Sequence, residues 1–259
     1  AGTTVATLQL PAGTALSARK VDGGYELTGR AERVMFGAEA ELVFVTGLLA
    51  DRPAVFAVSG GFTPTPLTTL DLTRPQAHLD FAGTPARLVG PADAGDALAR
   101  TLDQASVALA AEQLGGLRHC LDTIVEYAKL RVQFGRFIGS FQGVKHRLAD
   151  MHCTLEQAQS IARYAAWAAD EAPDELPVAA ALCQSSVGPA FYQVAKDHLL
   201  LHGGIGFTWE HDAHLYFKRA KSDQLLLGAP RVHRALLAER LGLTSPSGKT
   251  SGKTSDRSL

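Results

Sequence analysis

The sequence is short of cysteine, of net charge and of long apolar runs. Three cysteines, Cys120, Cys153 and Cys183, stand far apart in 259 residues, and no CxxC pair occurs. That excludes a disulfide framework and a cysteine-based zinc site, and it suits thiols kept reduced in a cytoplasm. Lys and Arg number 25 against 26 Asp and Glu. Without a basic excess, nucleic acid is excluded as the expected partner. No apolar run approaches the ~20 residues of a membrane span. The opening "AGTTVATLQL" has neither the basic nor the apolar region of a secretion signal. The expectation is a cytoplasmic protein that engages no membrane.

Metal chemistry is also poorly represented. His198 and His202 are four apart, and His211 and His214 three apart. Such pairs can ligate, but no spaced carboxylate or cysteine completes a set and HExxH is missing. No metal site is expected. "SGKT" occurs twice in the tail, yet the position five before Gly252 is Ser247 and no strand precedes it. That fails the phosphate-loop pattern.

What is present changes character near residue 92. Before it, short Val-, Thr- and Phe-rich segments alternate with "DGG" at 22–24, "SGGFTPTP" at 59–66 and "AGTP" at 82–85. That punctuation predicts a small antiparallel β barrel or sandwich over 1–91. From 92 to 243, apolar residues recur at three- and four-residue spacing, which predicts an up-and-down helical bundle. Helices are expected to 131 or so, over 142–170, 178–202, 211–222 and 230–241. The fold class is thus α+β. Residues 244–259, rich in Ser, Thr, Gly and Lys, are expected to be disordered.

Two stretches suit an anion. In "KLRVQFGRFIGSFQGVKHRLADM" a helix ends at Arg131 and another opens at Gln142. An Arg fork and a helix N-terminus both favour phosphate. "HGGIGF", from His202, lets a backbone approach a ligand closely, or merely ends a helix.

These stretches carry a resemblance. "EYAKLRVQFGRFIGSFQGVKHRLADM", "LLLHGGIGFTWEHDAHLYFKRAKSDQ" and "ARKVDGGYELTGRAERV" resemble, in order, three motifs of the acyl-CoA dehydrogenases. Those flavoenzymes oxidise acyl-CoA to 2-enoyl-CoA. The resemblance implies a helical N-terminal domain, a middle β domain and a helical bundle. This chain would start inside the middle domain, with the first domain absent. It implies FAD, shared between subunits, with Arg131, Gln133, Phe134, Gln142, Gly203 and Gly204 on the edge offered to a neighbour's cofactor. Leu200 replaces a family Gln there. On the flavin's own side, Arg33-Val34-Met35 stands where the family has Trp-Ile-Thr. The family's catalytic Glu falls on Leu227, followed by Gly228 and Ala229. The alternative base position, on the first bundle helix, falls on Ala105. No catalytic residue is therefore assigned.

The expected role is the non-catalytic partner of an active acyl-CoA dehydrogenase subunit in an α2β2 assembly. The acyl-CoA, possibly steroid-derived, would be bound mainly by the partner, with an electron-transfer flavoprotein as a further partner. Two alternatives stand beside it. One is a self-sufficient homo-oligomer using Asp223 or Glu112 as a displaced base. The other is a flavin-free structural pseudoenzyme.

Overall fold

The structure, a computed structural model, describes residues 4–9 and 16–243. The expected disordered tail with both "SGKT" repeats, and residues 10–15, lie outside them. Seven strands come first: β1 Ala6–Leu8, β2 Ser17–Val21, β3 Gly24–Met35, β4 Leu42–Leu49, β5 Arg52–Val58, β6 Phe62–Leu67 and β7 Gln76–Val89. They run β4-β2-β3-β7-β5, and β5 pairs back onto β4, closing a barrel. Closure leaves no free edge in the ring. Leu27, Val34, Val43, Phe56 and Leu79 fill it and are buried.

Three details differ from the sequence expectation. The barrel is not wholly antiparallel: β1 and β2 both pair with β4 in parallel. Strand β3 carries the chain down the barrel, so β4 climbs in the same direction as β2 and meets it by wrapping around. The proline-rich "FTPTPL" is a strand, not a turn. It pairs only with β7 and is largely exposed, so the missing amides of Pro64 and Pro66 cost no ladder bond inside the sheet. "AGTP" is not a turn either. The β3–β7 register slips by one residue there, with Gly83 at φ 68°, which makes it a bulge within one long strand.

Five helices follow: α1 Gly95–Leu130, α2 Gln142–Glu171, α3 Leu176–His202, α4 Ala213–Leu226 and α5 Pro230–Arg240. Helix α3 is apolar on most faces because it sits at the centre, against α1, α2, α4 and α5. Pro189 lies inside α3 without ending it. Leu117, Ile124, Met151, Val187 and Phe191 form the bundle core. Helix α4 runs four residues past its expected end. Leu225 and Leu226 are its last turn, not a break, and Leu227 caps it.

Two adjacent glycines test the α1–α3 packing. A methyl at Gly116 would meet the Phe191 ring at 2.5 Å, and that ring is buried. A methyl at Gly115 meets nothing within 4 Å. Gly115→Ala should therefore stabilise by about 0.5–1 kcal/mol through helix propensity. Gly116→Ala should destabilise by about 1–3 kcal/mol through overpacking. Urea unfolding followed by circular dichroism reads both signs; equal shifts would contradict the packing.

Candidate functional site

One end of the bundle gathers the residues with anion-binding chemistry. Helices α1 and α3 finish side by side there. The Tyr127 ring lies 4.5 Å from that of His202, and its hydroxyl donates to the His202 carbonyl at 3.4 Å. The chain leaves α1 at Arg131 and forms a two-residue hairpin, with Val132 opposite Phe137 and Gln133 opposite Arg136. Phe134 and Gly135 take φ of 52° and 77° at its tip. Positive φ at both central residues matches the twist of a tight hairpin, and Phe134 bears the strain of that conformation. Its ring is 90% exposed. Below the hairpin, a Cβ at Gly139 would sit 2.8 Å from the Ala128 carbonyl oxygen, so glycine lets the connection lie flat on α1. Gln142 then opens α2, whose first amides have no helical acceptor.

Across from this corner, Gly203 ends α3 at φ 71°, and nothing lies within 4 Å of a Cβ built on Gly203 or Gly204. Gly206 differs: its Cβ would stand 2.6 Å from the Leu199 carbonyl oxygen. The glycine cluster thus has two jobs, with Gly206 packing inward and Gly203–Gly204 presenting bare backbone outward. Arg131 and Gln133 are exposed, and Arg131 pairs with no carboxylate among the described residues. All six expected cofactor residues therefore lie at one bundle end. An unpaired guanidinium, a helix N-terminus and open glycine backbone fit a pyrophosphate. Under the glycines, His198 packs against His202 and Tyr216. Burial, then His202, His211 and His119, hold His198 down at about 3, so it stays neutral. Among the described residues, no group of three or more His, Cys, Asp or Glu is arranged to hold a metal.

The second candidate region is a cleft of about 650 Å³ between the barrel and α4–α5. Met35, Leu67, Leu70, Leu225 and Leu226 supply apolar walls. Arg33 stands on the barrel side at φ 53°, where the β3–β7 ladder slips between Ala31 and Val34. Leu227 caps α4 beside the cleft, and its carbonyl accepts from His233 Nε2 at 3.0 Å. Gly228, at φ 114°, and Ala229 line the cleft next to it. Ala105 is half-buried on α1. Glu32, which the sequence reading missed, is the one carboxylate lining the cleft among the described residues, and it is exposed.

Comparison with known proteins decides the family. Residues 95–242 match the model of the acyl-CoA dehydrogenase C-terminal domain. The chain belongs to the acyl-CoA dehydrogenase family. It is 40% identical over 248 residues to the acyl-CoA dehydrogenase IpdE2 of Mycobacterium tuberculosis, covering 92% of this chain and 71% of that one. It is 39% identical over 223 residues to FadE34 of the same organism, covering 82% of this chain and 30% of that one. A solved variant of the steroid acyl-CoA dehydrogenase Tcur3481-Tcur3483 superposes with a TM-score of 0.83 at 29% identity, over 93% of this chain and 68% of that one.

For a member of this family, the two carboxylates named as displaced bases are Asp223 and Glu112, and neither is free. Arg74, from the β6–β7 loop, donates to both. Arg219 donates to Glu112 at 2.6 Å and also pairs with Asp71. The result is an alternating chain, Asp223–Arg74–Glu112–Arg219–Asp71, that ties the barrel to α1 and α4. Burial would raise Asp71, but hydrogen bonds from Thr73 and Arg219 outweigh it and hold it low. Asp223 goes the other way: burial pushes it up to about 7 against the pull of Arg74. Its Oδ2 is buried without a partner, which leaves that oxygen to carry the proton.

A carboxyl raised in the folded state binds more protons folded than unfolded, so its stabilising contribution is lost as pH rises through about 7. Between about pH 5 and about pH 8, the wild type should lose roughly 1–3 kcal/mol relative to Asp223→Asn. Parallel denaturation curves for the two proteins at every pH would contradict this.

Proposed function

We propose that this chain is the non-catalytic subunit of a heteromeric FAD-dependent acyl-CoA dehydrogenase, in an α2β2 assembly. One observation carries the reading: the two carboxylates that could replace the missing base, Asp223 and Glu112, are both held by Arg74. Ala105 and Arg131 sit twenty-six residues apart along α1 and its cap, roughly 40 Å along a straight axis. The base position on α1 and the cofactor edge of one chain therefore lie toward opposite ends of that helix. In this reading each edge needs a second chain to complete it.

The two edges of this chain are unequally equipped. The bundle end keeps Arg131, Gln133, Phe134, Gln142, Gly203 and Gly204 in an exposed array that fits FAD held by a partner. Leu227 beside the cleft and Ala105 on α1 stand where a base is required, and Arg33 and Met35 line the cleft where a flavin would rest. FAD supplies the hydride acceptor when bound, and removal of the α-proton falls to a carboxylate of the partner. This chain's residues bind and orient. Arg131 is placed to pair with a phosphate, the Gly203–Gly204 backbone to approach the pyrophosphate, and Phe134 to cover an apolar face. Leu200, in place of the family Gln, removes one hydrogen bond from that edge.

Acyl-CoA thioesters are the substrate class, including bulky steroid-derived ones; the steroid enzyme among the relatives supports this. An electron-transfer flavoprotein is the expected electron acceptor. The homo-oligomeric alternative needs Asp223 or Glu112 as base, and the ion chain with Arg74 occupies both.

The tagged chain should purify with a second, flavin-bearing subunit and one FAD per pair. Arg131→Ala should leave the assembly intact and weaken FAD retention by about 10- to 100-fold, as loss of a charge-assisted hydrogen bond implies. Unchanged FAD occupancy would favour the flavin-free structural role. A yellow, active protein from this chain alone would contradict the proposal. Leu227→Glu should add no second working site, measured as turnover per assembly, because Arg33 and Met35 still flank it.

A further inference from the structure

A groove of about 440 Å³ runs along the outer face between α3 and α4, next to the proposed cofactor edge. Tyr192, Lys196 and Leu200 face it from α3 at four-residue spacing, one stripe of that helix. His214, Phe217 and Lys218 face it from α4. Phe207 and Trp209 close the end and are 63% and 75% exposed.

Two features mark this groove as a contact surface. The first is its apolar content. Exposed large hydrophobics concentrate at this bundle end: Leu200, Ile205, Phe207 and Trp209 on one side, and Val132, Phe134 and Phe137 on the other. Contiguous exposed apolar groups, Trp above all, characterise protein interfaces. The second is charge. Lys196 and Lys218 line the groove, no acidic side chain does, and neither lysine pairs with a carboxylate among the described residues. The Lys218 ammonium instead rests 4.1 Å from the centre of the Trp209 ring. Two uncompensated cations beside exposed aromatic rings are complementary to a carboxylate flanked by an apolar side chain.

We propose that this groove docks the flavin-bearing subunit directly, taking an acidic side chain between Lys196 and Lys218 and an apolar one against Trp209. The inference rests on the heteromeric reading above. It also follows from position. Leu200 lies one turn before Gly203, and Phe207 follows the glycines, so the groove adjoins the turn to which a partner's cofactor would come. The groove contacts protein, whereas Arg131 and the glycines contact cofactor, and the two sets should separate in experiment.

The test uses the complex of this chain with the flavin-bearing subunit that purifies with it, and measures subunit dissociation by mass photometry. Lys196→Glu/Lys218→Glu should raise the dissociation constant at least about tenfold. Trp209→Ala should raise it too. Raising salt should weaken the wild-type complex and leave the double variant less affected. A control reversal on the barrel, Lys20→Glu/Arg87→Glu, should change nothing. Wild-type assembly with groove variants that dissociate as the wild type does overturns the groove proposal alone. Equal weakening by the barrel control also overturns it, by making the effect one of net charge. Failure of any flavin-bearing subunit to join the wild-type chain overturns the functional reading and the groove's occupant together.

Discussion

A 36-residue helix that does not break fixes the distance between two halves of a site. Helix α1 begins beside the barrel and ends at Arg131, and its buried stripe from Leu98 to Ala128 locks it against the bundle. Everything chemical in the chain is placed by that length. Ala105 lies toward one end, and the proposed cofactor edge at Arg131 is at the other. The hydrogen-bonded rise of the helix keeps them apart whatever the side chains do. In the proposed reading the site is assembled between chains. A chain that has lost one half can still supply the other.

The barrel needs its own attachment to that frame. It comes through the alternating chain of Asp223, Arg74, Glu112, Arg219 and Asp71, three acids against two guanidinium groups. Burial pushes Asp223 up to about 7, so below that pH a proton there relieves the odd negative charge, on an oxygen that no second partner reaches among the described residues. Breaking such a network from one side strands a buried charge, which is far costlier than never having built it. The same contacts fix the β6–β7 loop, which walls the cleft. Carboxylates that resemble spare catalytic groups in the sequence are thereby structural in the fold.

Much of this was legible in the residues. The change from punctuated Val- and Thr-rich segments to three- and four-residue spacing matches the passage from strands to helices, with the first helix starting at Gly95 against an expected 92. The glycine and arginine motifs named residues that the fold gathers at one bundle end. Other features were hidden for identifiable reasons. Pro64 and Pro66 suggested a turn, because a sequence does not reveal that a strand lies at a barrel's rim. Leu225 and Leu226 looked like a hinge, because Gly228 and Pro230 mark the break two residues late. Arg74 and Arg219 gave no signal, since their partners come from three distant segments. Glu32 and the groove at Trp209 were invisible for the same reason: proximity there is created by folding alone.

Cross-subunit sharing of the cofactor is tested most directly by photolabelling the assembled complex with FAD carrying an azide on its adenine. Label on this chain at 131–142 or 203–207, with the flavin itself retained by the partner subunit, is the expected result. Label on this chain at 32–35 or 222–229, beside its own cleft, would contradict it.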